Sequence, residues 1–523
     1  MKRLDIYTVA LLAIFAAAVV LRAYHLGEQS LWVDEVDEGT TAQAPFPLFF
    51  YDVRADFGAA PLDYLAVKLF TTLLGHGTIA TRSWAFTMGC IAVPLIYLLT
   101  VKLMRDRVAG LIAATMLATS AFHIYYSQEA RFHALPVVLT MLSLYAFADA
   151  LQKRSPKAWV LYGGVTVVAL YSHYFLAALL PIEGLYLFVV SLWPYVRDTR
   201  PATALLGAKQ VGICLAVQVV AFLLFLPWLL FALPSQVAAG YPQLPNLGVG
   251  RVHQILVVLI GLAPMNSASG ASAGQLVRTD LVLLLAAIGF LVALAGRRVQ
   301  VLMLAGVIAL AIPLAWYSDR LGHYFWSERQ VIIVLAPLYI LAGLGVSCLL
   351  AAVGSAVATA SRRGWLGLPK TGWQDWTAGL VAGLTFGLLV VWSALYWSPI
   401  NQVYKDGWLV KEDWRAVAGY LQQDSCPGDQ YWTYLNDRYS YGFGYYDQAL
   451  IPRSHFLFAN PNGSYDPSPA DNAVREGLGS RDWIVVGGSP TGPEDSALRN
   501  LGFSPTPFLG LLVYHQHVCG ADA

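Results

Sequence analysis

The chemically most prominent feature of the chain is a dense group of acids in residues 30–38. The group contains Asp34, Glu35, Asp37 and Glu38, and it follows an apolar segment long enough to cross a membrane. Acids that a membrane protein places near the bilayer tend to be functional or paired with cations. Several carboxylates together could also hold Mg²⁺ or Ca²⁺ through oxygen ligands. The acidic segment is therefore the first candidate for a reactive site.

Further polar clusters interrupt the apolar sequence at residues 125–133, 172–174 and 318–329. They combine acids, arginine, histidine and aromatic residues. Their candidate binding residues are Glu129, Arg131, His173, Arg320, His323, Tyr324 and Arg329.

The composition identifies the kind of protein that must position these clusters. The chain has 523 residues, of which 57% are hydrophobic and only 12% charged, whereas soluble proteins contain about 25% charged residues. This composition predicts a polytopic membrane protein surrounded by lipid. The net charge of +1 gives no reason to expect a nucleic-acid partner.

Apolar runs of about 17–25 residues predict membrane-spanning helices. About eleven such runs occur, near residues 6–22, 82–101, 108–123, 134–151, 158–173, 175–195, 211–233, 279–296, 299–317, 330–352 and 376–397. With a cytoplasmic N-terminus, every predicted inner loop contains lysine or arginine, as the positive-inside rule requires. The same topology places the C-terminus and all the polar clusters on the extracytoplasmic face of the inner (plasma) membrane.

The predicted domain organisation has two parts. Residues 1–397 form the membrane domain, with long outer loops at 23–80, read as short interfacial helices, and at 234–278, which is either a mobile lid or a plain connector. Residues 398–523 change composition, with helical spacing at 413–421 and strand-like runs near 483–486 and 511–514 separated by turn residues. We expect a small outer α/β domain, in which an oxidising compartment would permit a disulfide between Cys426 and Cys519.

The ordered motifs also resemble a known family. After the first helix stands Leu-Trp-x-Asp-Glu, then Pro-Leu-x-Tyr, Arg82-Ser83-Trp84, Tyr-Tyr-Ser-Gln-Glu-Ala-Arg, a His-Tyr pair and Glu328-Arg329, in this order. The set resembles bacterial GT-C glycosyltransferases of the protein O-mannosyltransferase and lipid A aminoarabinose transferase group. The resemblance is clear over about residues 1–195, weaker from there to residue 400, and architectural only beyond that.

The resemblance implies transfer of a hexose or pentose from a polyprenyl-phosphate donor to a lipid, polysaccharide or protein acceptor, with inversion. An inverting displacement needs a base for the acceptor hydroxyl, a role expected of Asp34, with Glu35 orienting the site. The leaving phosphate needs cations and donors, expected from Arg131, Arg320, His323, Tyr324 and Arg329. Glu129, His173 and Arg54 are expected to support them. No cofactor is expected in catalysis, although the dense acids leave room for a divalent cation.

The first loop departs from the family pattern. Relatives often carry a basic residue before Pro-Pro-Leu or a similar run, whereas this chain reads Ala59-Ala60-Pro61-Leu62. Arg54 or Arg131 could supply the missing cation. The donor or acceptor therefore need not be that of the better-known relatives, and a transporter or flippase of lipid-linked sugars stays the alternative function.

Overall fold

The computed structural model of the protein describes residues 5–56, 60–197, 201–238, 249–261, 272–296, 298–322, 328–362, 411–434, 441–456, 469–487 and 492–519, with short stretches between 383 and 404. The chain folds as two compact units. The first comprises Met1–Tyr24, Phe50–Ala66 and Trp84–Lys405, and the second comprises His25–Phe49, Val67–Ser83 and Asp406–Ala523. Two segments of the first predicted outer loop thus belong to the same unit as the C-terminal residues. The predicted boundary at residues 397 and 398 stays a prediction.

The chain up to residue 362 is helical. Its α-helices are α1 (Ile6–Ala23), α2 (Val33–Gln43), α3 (Phe46–Ala55), α4 (Pro61–Leu74), α5 (Thr78–Met104), α6 (Arg107–Ala118), α7 (Ala121–Ser127), α8 (Ala134–Lys153), α9 (Pro156–Leu170), α10 (Leu179–Arg197), α11 (Pro201–Ala238), α12 (Val249–Gly261), α13 (Ala273–Ala295), α14 (Val301–Gly322) and α15 (Leu335–Arg362). Short 3-10 helices occupy Tyr174–Ala178 and Glu328–Val334.

Among the described residues, seven helices are long and apolar enough to cross a membrane. The pair α6 and α7, bent by 61°, makes an eighth span if the two helices are counted as one. Each predicted apolar run up to residue 352 overlaps one or two of the helices above, and the run at 108–123 is divided between α6 and α7. The run at 376–397 and most of the predicted lid at 234–278 lie largely outside the described residues. The all-α membrane architecture is confirmed.

A buried arginine supports the bend between α6 and α7. Arg22, at the end of α1, is fully buried and donates to the carbonyl oxygens of Leu117 and Ala118 at 3.1 Å. Its Nε also donates to the hydroxyl of Ser127 at 3.3 Å. A break in a helix leaves carbonyl groups without intrahelical partners. Arg22 satisfies two of them, which allows α6 to end inside an apolar unit.

A buried polar network joins four helices of the first unit. The carboxyl group of Glu183 on α10 accepts from Ser143 on α8 at 2.8 Å and from Tyr162 on α9 at 2.5 Å. Gln218 on α11 donates to the hydroxyl of Tyr162 at 2.9 Å. Polar groups in a membrane interior are costly unless they are paired. The network therefore fixes how these four helices pack.

The second unit contains a five-stranded sheet in the order β2-β1-β3-β5-β4. Strands β1, β2 and β3 are parallel, and β5 and β4 complete the sheet in antiparallel pairing. The strands are β1 (Gln430–Tyr434), β2 (Ser454–Phe456), β3 (Asp482–Gly487), β4 (Ser504–Phe508) and β5 (Leu511–His515), with helices α16 (Trp414–Asp424), α17 (Tyr441–Tyr446), α18 (Pro469–Glu476) and α19 (Gly492–Asn500) and a 3-10 helix at Gln448–Arg453. The predicted α/β character of the C-terminal region is confirmed.

Both faces of the central strand β3 are buried. Trp483 and Val485 face a cluster around Trp414 on α16, and Ile484 and Val486 face a second cluster. Alternate residues of a strand point to opposite faces. The continuous apolar run of β3 is therefore explained by burial on both sides.

A disulfide joins the two ends of the C-terminal region. Cys426 follows α16, Cys519 follows β5, and their Cα atoms lie 5.1 Å apart. The bond closes a loop 93 residues long in sequence. In the chain-entropy account, a loop of that length lowers the entropy of the unfolded chain by an amount equivalent to about 4–5 kcal/mol.

Candidate functional site

The acidic segment forms the first turns of α2 in the second unit. Because residues three or four apart share a face of a helix, the four acids divide into two pairs. Glu35 and Glu38 are fully buried, whereas Asp34 and Asp37 are partly exposed. The helix thus directs two carboxylates inward and leaves the other two partly exposed. Asp34 stands in the first turn, where the helix dipole stabilises a negative charge.

Glu35 forms a bidentate ion pair with Arg82. The guanidinium Nε and Nη2 atoms each donate to one carboxylate oxygen at 2.7 Å. Glu35 is 0% exposed and Arg82 2% exposed. A buried carboxylate is tolerated when a cation and hydrogen bonds replace water. Glu35 is therefore held inside the second unit by Arg82, and its carboxylate does not reach the surface.

Arg82 also holds the loop that leads into α2. Its Nη1 donates to the carbonyl oxygens of Leu26 and Gln29, and its Nη2 donates to that of Ser30 at 3.0 Å. The backbone N–H of Trp32 in turn donates to Glu35 at 3.4 Å. One guanidinium thus fixes both the loop and the start of the helix that contains Asp34.

Two residues of the C-terminal region contact the same helix start. Lys411 Nζ lies 3.7 Å from a carboxylate oxygen of Glu35 and is buried. The carboxyl group of Glu412 accepts from the backbone N–H of Val33 at 3.3 Å. Neither residue was predicted from the sequence. Lys411 and Glu412 directly precede a helical pattern, but they are not part of any recognisable motif.

Glu412 is electrostatically linked to Asp34. Burial raises the pKa of Glu412 above its ordinary value of 4.5, and the negative charge of Asp34 raises it further, while the Val33 hydrogen bond and Lys411 oppose the shift. The carboxyl group of Glu412 therefore resists ionisation next to Asp34.

The first unit contains a separate group of cations and donors around Arg131. Arg131 is 7% exposed. Its Nη1 and Nη2 both lie 3.3 Å from a carboxylate oxygen of Asp56, and Nη1 lies 3.3 Å from the hydroxyl of Tyr64. Tyr64 also donates to Asp56. The cation is thus held by a carboxylate and a hydroxyl on the segment before and within α4.

Two neutral histidines lie near the guanidinium groups. Burial, together with the positive charges of Arg131 and Arg329, lowers the pKa of His173 to about 3, and the same causes hold the pKa of His133 well below its ordinary range. The ring of Phe132 lies between them, 4.3 Å from each. Both imidazoles are therefore uncharged at neutral pH.

The hydrogen bonding of His173 assigns its tautomer. Its Nδ1 accepts from the backbone N–H of Phe175 at 3.2 Å, so the proton of the neutral ring is on Nε2. That Nε2 is buried and makes no hydrogen bond to any described residue, and the same holds for both ring nitrogens of His133. Buried polar atoms normally have a partner. These ring nitrogens therefore have hydrogen-bonding capacity that the described residues do not use.

The structure describes the surroundings of only some of the other predicted site residues. Glu129 is fully buried in the loop that precedes Arg131. Arg54 stacks on the ring of Tyr51, with its guanidinium carbon 3.9 Å from the ring centre. His323, Tyr324 and the side chain of Arg320 lie outside the described residues.

Several motif residues have structural partners. Within Pro-Leu-x-Tyr, Asp63 accepts from the indole N–H of Trp84 at 2.7 Å, and Tyr64 meets Arg131. Gln128 donates to the carbonyl oxygens of Arg22 and Tyr24 at the end of α1. The Asp56 partner of Arg131 was not foreseen, because nothing in the local sequence marks this acid.

Comparison with known proteins identifies similar chains. The sequence pattern of the family described as dolichyl-phosphate-mannose-protein mannosyltransferase matches residues 59–231. This range includes Tyr64, Arg82, Arg131 and His173. No curated protein sequence matches significantly.

Solved structures share the fold over nearly the whole chain. ArnT from Cupriavidus metallidurans in the apo state matches with a TM-score of 0.57 at 14% identity, covering 98% of each chain. The same protein bound to undecaprenyl phosphate matches with 0.55 at 14% identity, covering 96% of this chain and 97% of that one. The oligosaccharyltransferase AglB from Archaeoglobus fulgidus, in complex with an inhibitory peptide and a dolichol-phosphate, matches with 0.53 at 12% identity, covering 98% of this chain and 74% of that one. The chain thus has the GT-C fold and resembles the group that its motifs indicate.

We expect Arg82→Met to lower the free energy of unfolding by about 3–5 kcal/mol, because it leaves Glu35 as a buried carboxylate without its bidentate partner. Arg107→Met is the matched control, since its ion pair with Asp5 is about half exposed and contributes at most about 1 kcal/mol. Denaturant unfolding in detergent measures both. Equal decreases in the free energy of unfolding for the two variants would contradict the proposed contribution of the Arg82–Glu35 pair.

The pKa of Glu412 gives a pH dependence with a defined sign. Because the folded-state pKa lies above 4.5, the folded protein binds more protons than the unfolded chain between the two pKa values, so the stability contribution of Glu412 falls as pH rises through that window. Glu412→Gln keeps an acceptor for Val33 and removes the charge. Thermal unfolding should therefore show the variant gaining stability over the wild type from acid to neutral pH. The exposed Glu476→Gln is the control, and parallel curves for wild type and Glu412→Gln would rule out the shift.

Proposed function

We propose that this chain is a GT-C membrane glycosyltransferase that transfers a sugar, a mannose-like hexose or a pentose, from a polyprenyl-phosphate donor to an acceptor hydroxyl on the extracytoplasmic face. The family match, the shared fold and the two groups of polar residues support the proposal. The acceptor is a lipid, polysaccharide or protein of the cell envelope. Two of the similar structures, ArnT bound to undecaprenyl phosphate and AglB in complex with a dolichol-phosphate, support a donor of this type.

The observation that carries the proposal is the way Asp34 is positioned. Its neighbour Glu35 is fixed on Arg82, and the backbone before it is fixed by Glu412. Asp34 itself stays partly exposed at the start of a helix. A catalytic base must be held within hydrogen-bonding reach of the proton that it removes. This arrangement supports Asp34 as the base in preference to the other three acids.

In the proposed reaction, Asp34 accepts the proton of the acceptor hydroxyl. The hydroxyl oxygen attacks the anomeric carbon, and the bond from that carbon to the phosphate oxygen breaks. The electron pair leaves with the polyprenyl phosphate, and the configuration at the anomeric carbon inverts. The carboxylate also stabilises the positive charge that develops on the sugar, as in glycoside hydrolysis.

The group around Arg131 fits the role of a phosphate site. Arg131 supplies the cation, the neutral His173 supplies an Nε2–H donor, and Arg329 adds positive charge nearby. Arginine and a neutral donor together stabilise a leaving phosphate without a strong acid. The proposed reaction therefore uses no cofactor, since this chain's own cations neutralise the leaving group.

The first test is transfer from a panel of radiolabelled polyprenyl-phosphate sugars, with wild type and Asp34→Asn compared. Loss of general-base catalysis should reduce the rate by about 10²–10⁴-fold. The matched control is Asp37→Asn, which removes the second partly exposed acid of α2 and should keep most activity. Full activity of Asp34→Asn would refute the base assignment. Lipid-linked sugar movement without sugar transfer by the wild type would favour the transporter alternative.

The second test addresses the phosphate. Arg131→Met combined with Asp56→Leu removes the cation without leaving a buried acid unpaired, and it should weaken binding of undecaprenyl phosphate by at least about tenfold, since a charge-assisted bidentate contact is lost. Asp56→Asn alone keeps the cation and is the matched control. Binding can be followed by tryptophan fluorescence or by native mass spectrometry. Unchanged binding by the folded double variant would remove Arg131 from the site.

A further inference from the structure

A groove away from all the candidate site residues lies between α9 and α11 of the first unit. It has a volume of about 850 Å³, which is within the usual range for ligand pockets. Its walls are apolar, and Val160, Val220 and Leu224 are exposed along it. The groove therefore opens on the apolar surface of a membrane protein, where lipid chains are the solvent.

One end of the groove is basic. Arg154, which follows α8, and Lys209 on α11 both line it. Neither cation forms an ion pair with another described residue, whereas the nearby Lys102 and Lys153 both pair with Asp149. The groove thus combines apolar walls with two positive charges at one end that have no ion-pair partner among the described residues.

Two buried polar atoms at the same groove also have no partner. The indole N–H of Trp159 and the amide oxygen of Gln210 make no hydrogen bond within the described part of the chain. The two residues are only 5% and 8% exposed. Such atoms are normally satisfied by a partner or a ligand. The indole can donate to a phosphate oxygen, and the amide oxygen can accept from a hydroxyl group.

We propose that this groove binds one anionic phospholipid of the phosphatidylglycerol type. The acyl chains would occupy the apolar trough, and the phosphodiester would meet Arg154, Lys209 and the Trp159 indole. A glycerol hydroxyl of the headgroup would donate to Gln210. The charge complementarity and the unpartnered acceptor favour this lipid over a choline lipid, whose headgroup is zwitterionic and has no hydroxyl donor.

A glycine on the wall of the groove allows a substitution that would fill it. A Cβ atom on Gly164 would meet nothing within 4 Å, and Gly164 lines the groove. Gly164→Leu should therefore fill the trough without disturbing packing. Gly212 on α11 also has open space around it but does not line the groove, so Gly212→Leu is the matched control.

The test is native mass spectrometry of the full-length protein in detergent with equal amounts of phosphatidylglycerol, phosphatidylcholine of identical acyl chains, and undecaprenyl phosphate. We expect one phosphatidylglycerol to be retained preferentially. Arg154→Asn combined with Lys209→Gln should reduce that preference about 30-fold, since each basic residue near a lipid surface contributes about 1 kcal/mol. Asn suits position 154 because Arg154 has a φ of 51°.

Control variants distinguish the contribution of the two positive charges to lipid binding from that of the shape of the groove. Gly164→Leu should remove the retained phosphatidylglycerol and leave retention of undecaprenyl phosphate unchanged, whereas Gly212→Leu and the exposed Lys157→Gln should behave as the wild type. Unfolding midpoints verify that each variant is folded. Three results would each overturn the proposal. The wild type could retain the two phospholipids equally, or it could prefer undecaprenyl phosphate in a way that Gly164→Leu abolishes. The third such result is retention of phosphatidylglycerol that Gly164→Leu leaves unchanged.

Discussion

The buried ion pair between Arg82 and Glu35 is the interaction on which the proposed catalytic helix depends. It is made of two short, charge-assisted hydrogen bonds in a place from which water is excluded. A buried pair of this kind adds little net stability, but its geometry is strongly determined because either charge alone would be costly. The pair therefore acts mainly by specifying where α2 begins and which of its acids stays accessible.

The cost of a buried or crowded charge also explains why the four acids of the acidic segment have different surroundings. Four carboxylates in five positions would repel one another on an isolated helix. Burial of Glu35 against Arg82 and Lys411 neutralises one of them, and Glu412 resists ionisation because it is buried beside Asp34. The negative charges of Glu35 and Glu412 are thus balanced or suppressed next to Asp34.

In the first unit, the electrostatics have the opposite sign. Arginine side chains lie near imidazoles that burial keeps neutral. A neutral imidazole can donate one hydrogen bond without adding to the positive charge, so it complements an arginine around a phosphate oxygen. The Asp56 carboxylate, in contact with Arg131, orients the guanidinium and limits its mobility.

The sequence by itself determined the membrane class, the apolar helices up to residue 352 and the α/β character of the C-terminal region, and it proposed Asp34, Arg131 and His173 as candidates. These features depend on hydropathy and on local motifs, which are patterns of residues that lie close together in the sequence. Only the tertiary structure decided that Glu35 is buried on Arg82, that Asp56 holds Arg131, and that Lys411 and Glu412 reach the start of α2. These partners are separated by between 47 and 379 residues, and no local pattern marks them. A buried charge selects its partner by proximity in the folded chain, so long-range pairs of this kind are fixed only when the chain packs.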